Sequence, residues 1–424
     1  MREVVVSGIG LITPSGLTRD ASFAAWLEGR SAVTQAPEAV RRWLPNALAA
    51  PLPPGLDARL DRADQGLDRA TQLGMVAAAE ALHDARFSRD TVNTDRAGVY
   101  VGVGLAGAET LEALYSTFYQ RLYDPEGNGH RNPTVLHPLT VPRLMANATA
   151  AAASMRYGLK GASHTYSVAC ASSAVAIGEA WRAILAGHAD TMLVIGTEAQ
   201  LTTGAYLGWN ALRVLATPDT DDIAQSCKPF DARRNGFVLG EGAAALVLET
   251  RSTAEARGAP IYGVLCGYGS SSDAAHLTAP SADGQARAMR QALHEAHITP
   301  EQVGYINAHG TATQVGDATE SQSIQDVFGP HAAQIPVSAS KSMHGHLIGA
   351  AGAVEFASTL LSLHTGSIPP TANLQQPDPA CPLDYVPLQA RHGLALEYAL
   401  SNSFAFGGSN VSLLARRYRP LAAA

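Results

Sequence analysis

The stretch Tyr166-Ser167-Val168-Ala169-Cys170-Ala171-Ser172-Ser173-Ala174 constrains this chain more than any other. Small residues crowd around one cysteine, and behind it Ala174, Ile177, Trp181, Ile184 and Leu185 recur at helical spacing. The helix so predicted, over 174–186, is apolar nearly all round, so both of its flanks must be covered. Gly187 stops it, and Met192-Leu193-Val194-Ile195 follows as a strand buried on both faces. A helix of that kind belongs in the middle of a layered α/β body. Cys170 then lies at or just before the first turn, where unpaired N–H groups and the positive end of the helix dipole favour a thiolate. Small neighbours leave room for a substrate to reach the sulfur. Read alone, the same residue is an ordinary buried cysteine; two later stretches change that reading.

With 424 residues the chain has core enough for two domains or one unit used twice. Hydrophobic residues at 46% and charged ones at 16% exclude disorder, and a formal charge of −7 argues against a nucleic-acid binder held by phosphate contacts. Cys170, Cys227, Cys266 and Cys381 lie far apart, which suggests neither a disulfide framework nor a zinc ribbon. The chain opens directly into an apolar strand, so no leader is expected, and no apolar run reaches bilayer length. The expectation is a soluble, cytoplasmic protein without a membrane span.

Val4-Val5-Val6 reads as a short strand that ends in Gly8-Ile9-Gly10, but Pro14 and Ser15-Gly16 make a turn where a dinucleotide fold wants a third glycine and a helix. Leu67 to Ala85 is an amphipathic helix, and Ala97 to Gly104 a glycine-bounded strand. A loose segment with Gly127-Asn128-Gly129 and Pro133 comes before an Ala-rich helix that Pro142 starts and Gly158 stops. Strand–helix alternation resumes after a connector at Arg251 to Gly258, so the pattern suggests one sheet-and-helix unit used twice.

Two further strands end in histidines. Tyr305-Ile306-Asn307-Ala308-His309-Gly310-Thr311-Ala312-Thr313 adds two hydroxyls, and Val337 to His346 adds Lys341 ahead of His344 and His346. Glu355, on the apolar helix predicted over 347–363, is costly to bury alone and suits a pair with Lys341. The His344/His346 pair raises a metal site, but no third ligand stands at helical or strand spacing, so none is expected. Asn402-Ser403-Phe404-Ala405-Phe406-Gly407-Gly408-Ser409-Asn410 is a loop whose glycines let backbone N–H groups approach an oxyanion. A nucleophile, two histidines and a donor loop are the parts of an acyl-transfer site that also handles an enolate.

With these residues in place the chain resembles the β-ketoacyl-acyl carrier protein synthases of the thiolase superfamily, in particular the elongating type II group. The resemblance runs from Val4 to Leu414 through the ordered set Cys170, His309, Lys341, His346, Phe406. It includes Lys228-Pro229-Phe230-Asp231, Gly236-Phe237-Val238-Leu239-Gly240-Glu241-Gly242 and Ser271-Ser272-Asp273. It implies an α/β, thiolase-like, five-layered αβαβα fold in two duplicated halves, 1–254 with the nucleophile and 255–424 with the histidines and gate loop. It implies that Cys170 carries the acyl chain as a thioester. His309 and His346 would decarboxylate malonyl-carrier protein and hold the enolate, with Lys341 fixed by Glu355. The N–H groups of Cys170 and Phe406 would form the oxyanion hole, and Ala405, Phe406, Gly407 and Gly408 the gate. Thr311 and Thr313 match residues that hold the phosphopantetheine arm; Trp209 and Thr140 stand at pocket positions, the latter reaching across a dimer. Asp273 to Pro280, with Thr278, is the gate's expected partner. Arg213, Arg59 and Arg62 are the expected contacts to the acidic carrier. No resident cofactor is implied, since phosphopantetheine arrives on the carrier. A monovalent cation near Asn307, Glu355, Ser401 and Asn402 fits the family pattern. The other expected partner is a second ketosynthase-fold chain, in a homodimer or heterodimer.

Departures from the pattern are Val168 and His344 where Thr is common, Ala405 where Gly is common, and Gln65 and Gly66 at usually basic positions. Met343-His344-Gly345-His346 and Phe404-Ala405-Phe406 resemble synthases of specialised pathways, nodulation-factor or aryl-polyene lipids, with housekeeping elongation the alternative. A thiolase would need a second reactive cysteine, which Cys381 among prolines and aspartates does not resemble. A chain-length partner subunit would lack the nucleophile.

Overall fold

A computed structural model describes residues 2–123 and 137–420; the loose segment around Gly127 and Pro133 lies outside them. Ten strands form one hydrogen-bonded ladder. The first five are β1 (Val4–Ile12), β2 (Ala97–Gly102), β3 (Ser163–Tyr166), β4 (Thr191–Glu198) and β5 (Gly242–Thr250). The second five are β6 (Gly263–Ser272), β7 (Val303–Asn307), β8 (Val337–Ser338), β9 (Tyr398–Ala405) and β10 (Ser409–Arg416). Their order, β8-β7-β9-β10-β6-β1-β5-β4-β2-β3, is an internal duplication. Reading outward from the centre gives β1-β5-β4-β2-β3 on one side and β6-β10-β9-β7-β8 on the other. The pairing directions repeat as well: the first two pairs of each half are antiparallel and the last two parallel. β1 and β6 join the halves, and residue 254 falls in the helix Arg251–Ala256 between them.

Six helices complete the layers: α1 (Arg69–Asp84), α2 (Ala148–Tyr157), α3 (Ser172–Leu185), α4 (Ala282–Glu295), α5 (Gln314–Phe328) and α6 (Ala351–Thr365). α1 and α2 share one apolar cluster with the outer face of the first half, and α4 and α5 share another with the second. α3 and α6 lie between the two halves in the largest cluster. This is the expected five-layered αβαβα arrangement. Residues 351–363 of α6 are all buried, as a middle layer requires. The two central helices touch at Gly352, where a Cβ would stand 2.8 Å from both the Cβ and the N of Ala174. Ser173 Oγ accepts the Ala353 N–H there at 2.9 Å. Among the described residues no helix is long and apolar enough to cross a membrane.

Local readings shift in three places. Gly8-Ile9-Gly10 lies inside β1 and not in a loop after it. A Cβ at Gly8 or Gly10 would stand 2.2 or 2.0 Å from a carbonyl oxygen of α1, so these glycines let that helix lie against the strand. The Ala-rich helix predicted from Pro142 is broken into Thr140–Leu144 and α2, because Met145 turns to extended backbone. The helix predicted from Leu347 begins as a tight turn, Ile348–Ala350, before α6.

Candidate active site

Cys170 stands two residues ahead of α3, on a bend and not in the first turn. Ala169 takes a φ of 44°, a left-handed conformation costly for a residue with a Cβ. Ser172 braces the bend: its Oγ accepts the Val168 N–H at 2.8 Å and donates to the Ala169 carbonyl at 2.6 Å. The bend lifts the sulfur off the sheet end into a cavity of about 370 Å3, which His309, His346, Thr311, Thr313 and Phe406 also line.

His346 Nε2 is 3.0 Å from Cys170 Sγ. The segment Phe237–Gly240 holds this histidine from both sides, since His346 N–H donates to Val238 O at 2.7 Å and its carbonyl accepts the Gly240 N–H at 3.0 Å. Ile348, at φ 44°, turns its N–H onto His346 Nδ1 at 3.2 Å. An accepting Nδ1 places the neutral ring's proton on Nε2, facing the sulfur. His309 is set alike: Lys341 Nζ approaches its Nδ1 at 3.4 Å and leaves Nε2 as the free ring nitrogen. The two rings are 5.5 Å apart at 82°. Burial, with the nearby Lys341 charge, lowers both histidines' pKa well below the ordinary range, so both are neutral donors at pH 7.

Lys341 is fully buried and pairs with Glu355 Oε1 and the His309 carbonyl. Burial raises Glu355 to about 7 against the opposing pull of Lys341. Removing either partner of such a pair strands a buried charge at a cost of about 3–5 kcal/mol. Glu355 Oε2 and Asn307 Oδ1 are buried without a hydrogen-bond partner among the described residues. Asn307 pairs in register with Ser401 on β9. Two hard oxygen donors left open fit the monovalent cation the family pattern implies; with Ser401 and Asn402 they would hold it, and it would offset carboxylate charge.

Burial dominates at the sulfur. It pushes the Cys170 thiol up to about 12, and the Lys341 charge and the Phe406 N–H aimed at Sγ offset this only in part. The thiolate expected from the helix N-terminus is therefore not the resting form, because the bend leaves the sulfur enclosed. Alkylation of Cys170 by iodoacetamide should keep rising through pH 9 without a plateau; a plateau below pH 7 in the rate-against-pH profile would show a resting thiolate.

Cys170, His309 and His346 present ligand-type atoms within 4.8 Å of one another. With both Nδ1 atoms engaged, the Nε2 protons point inward, which suits an anion and not a metal ion, and the buried Lys341 cation acts in the same direction. The His344/His346 pair does not chelate. His344 turns away, with Nδ1 2.8 Å from Gly345 O and Nε2 3.0 Å from Ser340 Oγ, and it packs on Trp26.

The gate residues lie at the β9–β10 turn. Gly407 and Gly408 have φ of 86° and 75°, and Gly407 N–H donates to Leu277 O at 2.7 Å, which joins the gate to the Asp273–Pro280 loop. Asp273 accepts Asn410 Nδ2 at 2.7 Å and the Ser281 N–H at 3.1 Å. Thr278 lines the mouth, and Thr311 and Thr313 hydroxyls are 2.9 Å apart on its wall. Ala405 lines the cavity too. Trp209 does not; its indole stacks on Phe406 at 6.2 Å, meets Phe237 edge-on and donates to Gln200 Oε1 at 2.9 Å.

Thr140, whose expected reach is across a dimer, sits outside the cavity wall of its own chain, on the helix Thr140–Leu144 with its hydroxyl on His137 O at 2.7 Å. Of the three expected carrier contacts Arg213 lines the mouth, and Arg59 and Arg62 are exposed on the surface around the Leu56–Ala58 turn.

Two residues escaped the sequence reading. Glu320 on α5 is buried and accepts His309 N–H at 2.9 Å and Gly310 N–H at 2.8 Å, so it fixes the loop that carries the histidine. Asp317 accepts Phe230 N–H at 2.8 Å and Ala312 N–H at 3.1 Å, and burial raises it to about 7. The available signal was two acids one helical turn apart directly after His309-Gly310-Thr311.

Comparison with known proteins agrees with this geometry. The beta-ketoacyl synthase N-terminal domain matches residues 1–254 and the C-terminal domain residues 262–375. The 3-oxoacyl-[acyl-carrier-protein] synthase 2 of Synechocystis sp. is 38% identical over 426 residues, 99% of each chain. That of Staphylococcus aureus strain COL is 38% identical over 421 residues, 98% of this chain and 99% of the relative. A crystal structure of a beta-ketoacyl synthase from Burkholderia phymatum superimposes with a TM-score of 0.87 at 37% identity, over 99% of this chain and 100% of that one. The type II polyketide ketosynthase AntDE, solved with its acyl-carrier protein AntF, gives a TM-score of 0.88 at 30% identity over 99% and 100%.

Proposed function

The chain belongs to the beta-ketoacyl synthase family, and from that premise we propose that it condenses an acyl chain held on Cys170 with malonyl-acyl carrier protein. The observation that carries this is the convergence of one sulfur and two imidazoles of fixed tautomer on a single cavity. In the first half-reaction the Cys170 sulfur attacks the acyl-carrier thioester. Its proton leaves with the pantetheine thiol, and the acyl group stays on Sγ. In the second, malonyl-carrier enters the same cavity and loses carbon dioxide. The electron pair released becomes an enolate, whose oxygen takes hydrogen bonds from the Nε2–H groups of His309 and His346. The enolate carbon attacks the Cys170 thioester, the N–H groups of Cys170 and Phe406 hold the resulting oxyanion, and its collapse releases the β-ketoacyl-carrier and the sulfur as a thiolate, which takes a proton from water to restore the resting thiol. Lys341 touches no substrate; it fixes the His309 tautomer and adds positive field.

The reaction needs no resident cofactor and takes place in the cytoplasm. The chain works beside a second ketosynthase-fold chain. A heterodimer is supported by the ishigamide ketosynthase/chain length factor, at 32% identity and a TM-score of 0.87, and by the ketosynthase ApeO solved with its chain length factor ApeC, at 27% and 0.81. In such a pair this chain is the active half, since it keeps Cys170 and both histidines. Mixing purified chain with acyl-carrier and malonyl-carrier proteins should yield β-ketoacyl-carrier and carbon dioxide in equal amounts; carbon dioxide without condensed product overturns the reading.

Trp209 closes the apolar cluster that contains Cys170, Tyr206 and Ile348, and the growing chain enters there when Phe406 swings off the indole. Trp209→Ala should raise turnover of longer acyl substrates by about tenfold relative to short ones, read as the kcat/KM ratio across a chain-length series.

A further inference from the structure

Among the described residues three histidines are buried, and the chemistry above uses two of them. The third, His344, does not line the Cys170 cavity and is a departure from the Thr common at its position. Its ring makes two hydrogen bonds: Nδ1 lies 2.8 Å from Gly345 O, and Nε2 3.0 Å from Ser340 Oγ. A carbonyl oxygen only accepts, so Nδ1 carries the proton and Nε2 accepts from the Ser340 hydroxyl. Burial, with the Lys341 charge, lowers the pKa to about 3 and keeps the ring neutral, as one donor beside one acceptor requires. His344 is thus the Nδ1–H tautomer, the opposite of His346 two residues on. Trp26 packs against the ring, centroids 5.4 Å apart.

Both bonds end beside a working side chain. Ser340 precedes Lys341, and the Gly345 carbonyl belongs to the peptide that leads into His346. That peptide needs an outside hold. Gly345 has φ 70° and ψ −168°, a conformation open to glycine and closed to residues with a Cβ. A Cβ there would also stand 2.8 Å from Val238 O. The His346 N–H of the same peptide donates to Val238 O at 2.7 Å. The peptide is therefore gripped at both polar ends, by Val238 O on its N–H and by His344 Nδ1–H on its carbonyl. Freed at the carbonyl, it can turn about Gly345 ψ and His346 φ, and the His346 ring moves with it.

We propose that His344 is a positioning residue for His346: its Nδ1–H fixes the Gly345–His346 peptide, and through that peptide the place of the Nε2–H that the enolate oxygen meets. The proposal rests on the ketosynthase reading above. It gives the His-Gly-His spacing a meaning other than chelation, since one ring binds the intermediate and the other holds the backbone that carries it.

The test separates the two ring nitrogens. Asparagine places its Nδ2 about where Nδ1 of histidine stands, and glutamine places its amide about where Nε2 stands. His344→Asn therefore keeps the bond to Gly345 O, and His344→Gln keeps only the one to Ser340. On the full chain with malonyl-carrier protein, His344→Gln should lower kcat for decarboxylation by about tenfold with KM within about twofold. His344→Asn should stay within about threefold of the wild type, and both variants should acylate Cys170 within about threefold. The unfolding temperature should fall alike in the two, because each loses one hydrogen bond. Decarboxylation equal in the two variants, losses that track the unfolding temperature, or a KM effect in place of the kcat effect overturns the proposal. Should His344→Gln fail to fold, nitrogen-resolved NMR spectra of histidine-labelled wild type decide. His344, identified by the signals missing in His344→Asn, must be the neutral Nδ1–H tautomer, and an Nε2–H tautomer overturns the proposal. A wild-type chain that does not decarboxylate malonyl-carrier strikes the ketosynthase reading and takes this proposal with it, whereas active wild type with equal variants strikes the proposal alone.

Discussion

Replacing Cys170 by alanine should abolish condensation, by on the order of 10^4-fold or more, while decarboxylation of malonyl-carrier persists. The sulfur is the atom that holds the acyl group between the two half-reactions, and among the described residues no other thiol lines the cavity: Cys227, Cys266 and Cys381 lie elsewhere. The enolate-binding groups do not depend on it. Lys341 and Glu355 set His309, and Ile348 and the Val238–Gly240 backbone set His346, so both Nε2–H donors stay in place when Sγ is gone. Carbon dioxide release measured beside β-ketoacyl product gives the answer. Condensation that survives the substitution, or decarboxylation that falls along with it, contradicts the separation of roles.

His309→Ala should have the complementary effect. Decarboxylation should fall by about 10^2–10^3-fold, the usual cost of losing one oxyanion donor in a water-poor site, while acyl transfer onto Cys170 continues. His309 touches Lys341 and Glu320 through its ring and backbone but makes no hydrogen bond to the sulfur. His346→Ala should cut decarboxylation to a similar extent and slow acylation by less than about tenfold, because its Nε2 lies 3.0 Å from Sγ and helps the incoming thioester. Single-turnover acylation and malonyl decarboxylation, measured separately on both variants, check this. Loss of acylation in His309→Ala would show that the two imidazoles serve the first half-reaction as well.

Much of this site could be read from residue order. Cys170 was legible only together with the two histidine-ending strands and the donor loop downstream, since alone it reads as a buried cysteine, and the Lys341–Glu355 pair was legible because a carboxylate on a buried helix needs a cation. The duplicated fold was legible as strand–helix alternation on both sides of Arg251 to Gly258, though its proof lies in strand order, which the letters do not carry. The left-handed bend at Ala169 was invisible, since alanine gives no sign of positive φ and only the Ser172 bonds make it affordable. That bend leaves the sulfur enclosed, and burial raises the thiol's pKa where the helix N-terminus alone led to the expectation of a thiolate. Asp317 looks like an ordinary first-turn acid and Glu320 like one a turn later, and only folding α5 back onto the His309 loop buries them. His344 misled by adjacency: two residues apart on a tight turn, His344 and His346 face different neighbours.

Peptide-resolved mass spectrometry of the intact chain after brief exposure to acyl-carrier protein, with malonyl-carrier withheld, measures where the acyl group comes to rest. One acyl mass on the peptide that contains Cys170, discharged when malonyl-carrier is added, is the predicted result. An acyl mass on Cys227, Cys266 or Cys381, or one on Cys170 that malonyl-carrier leaves in place, contradicts it.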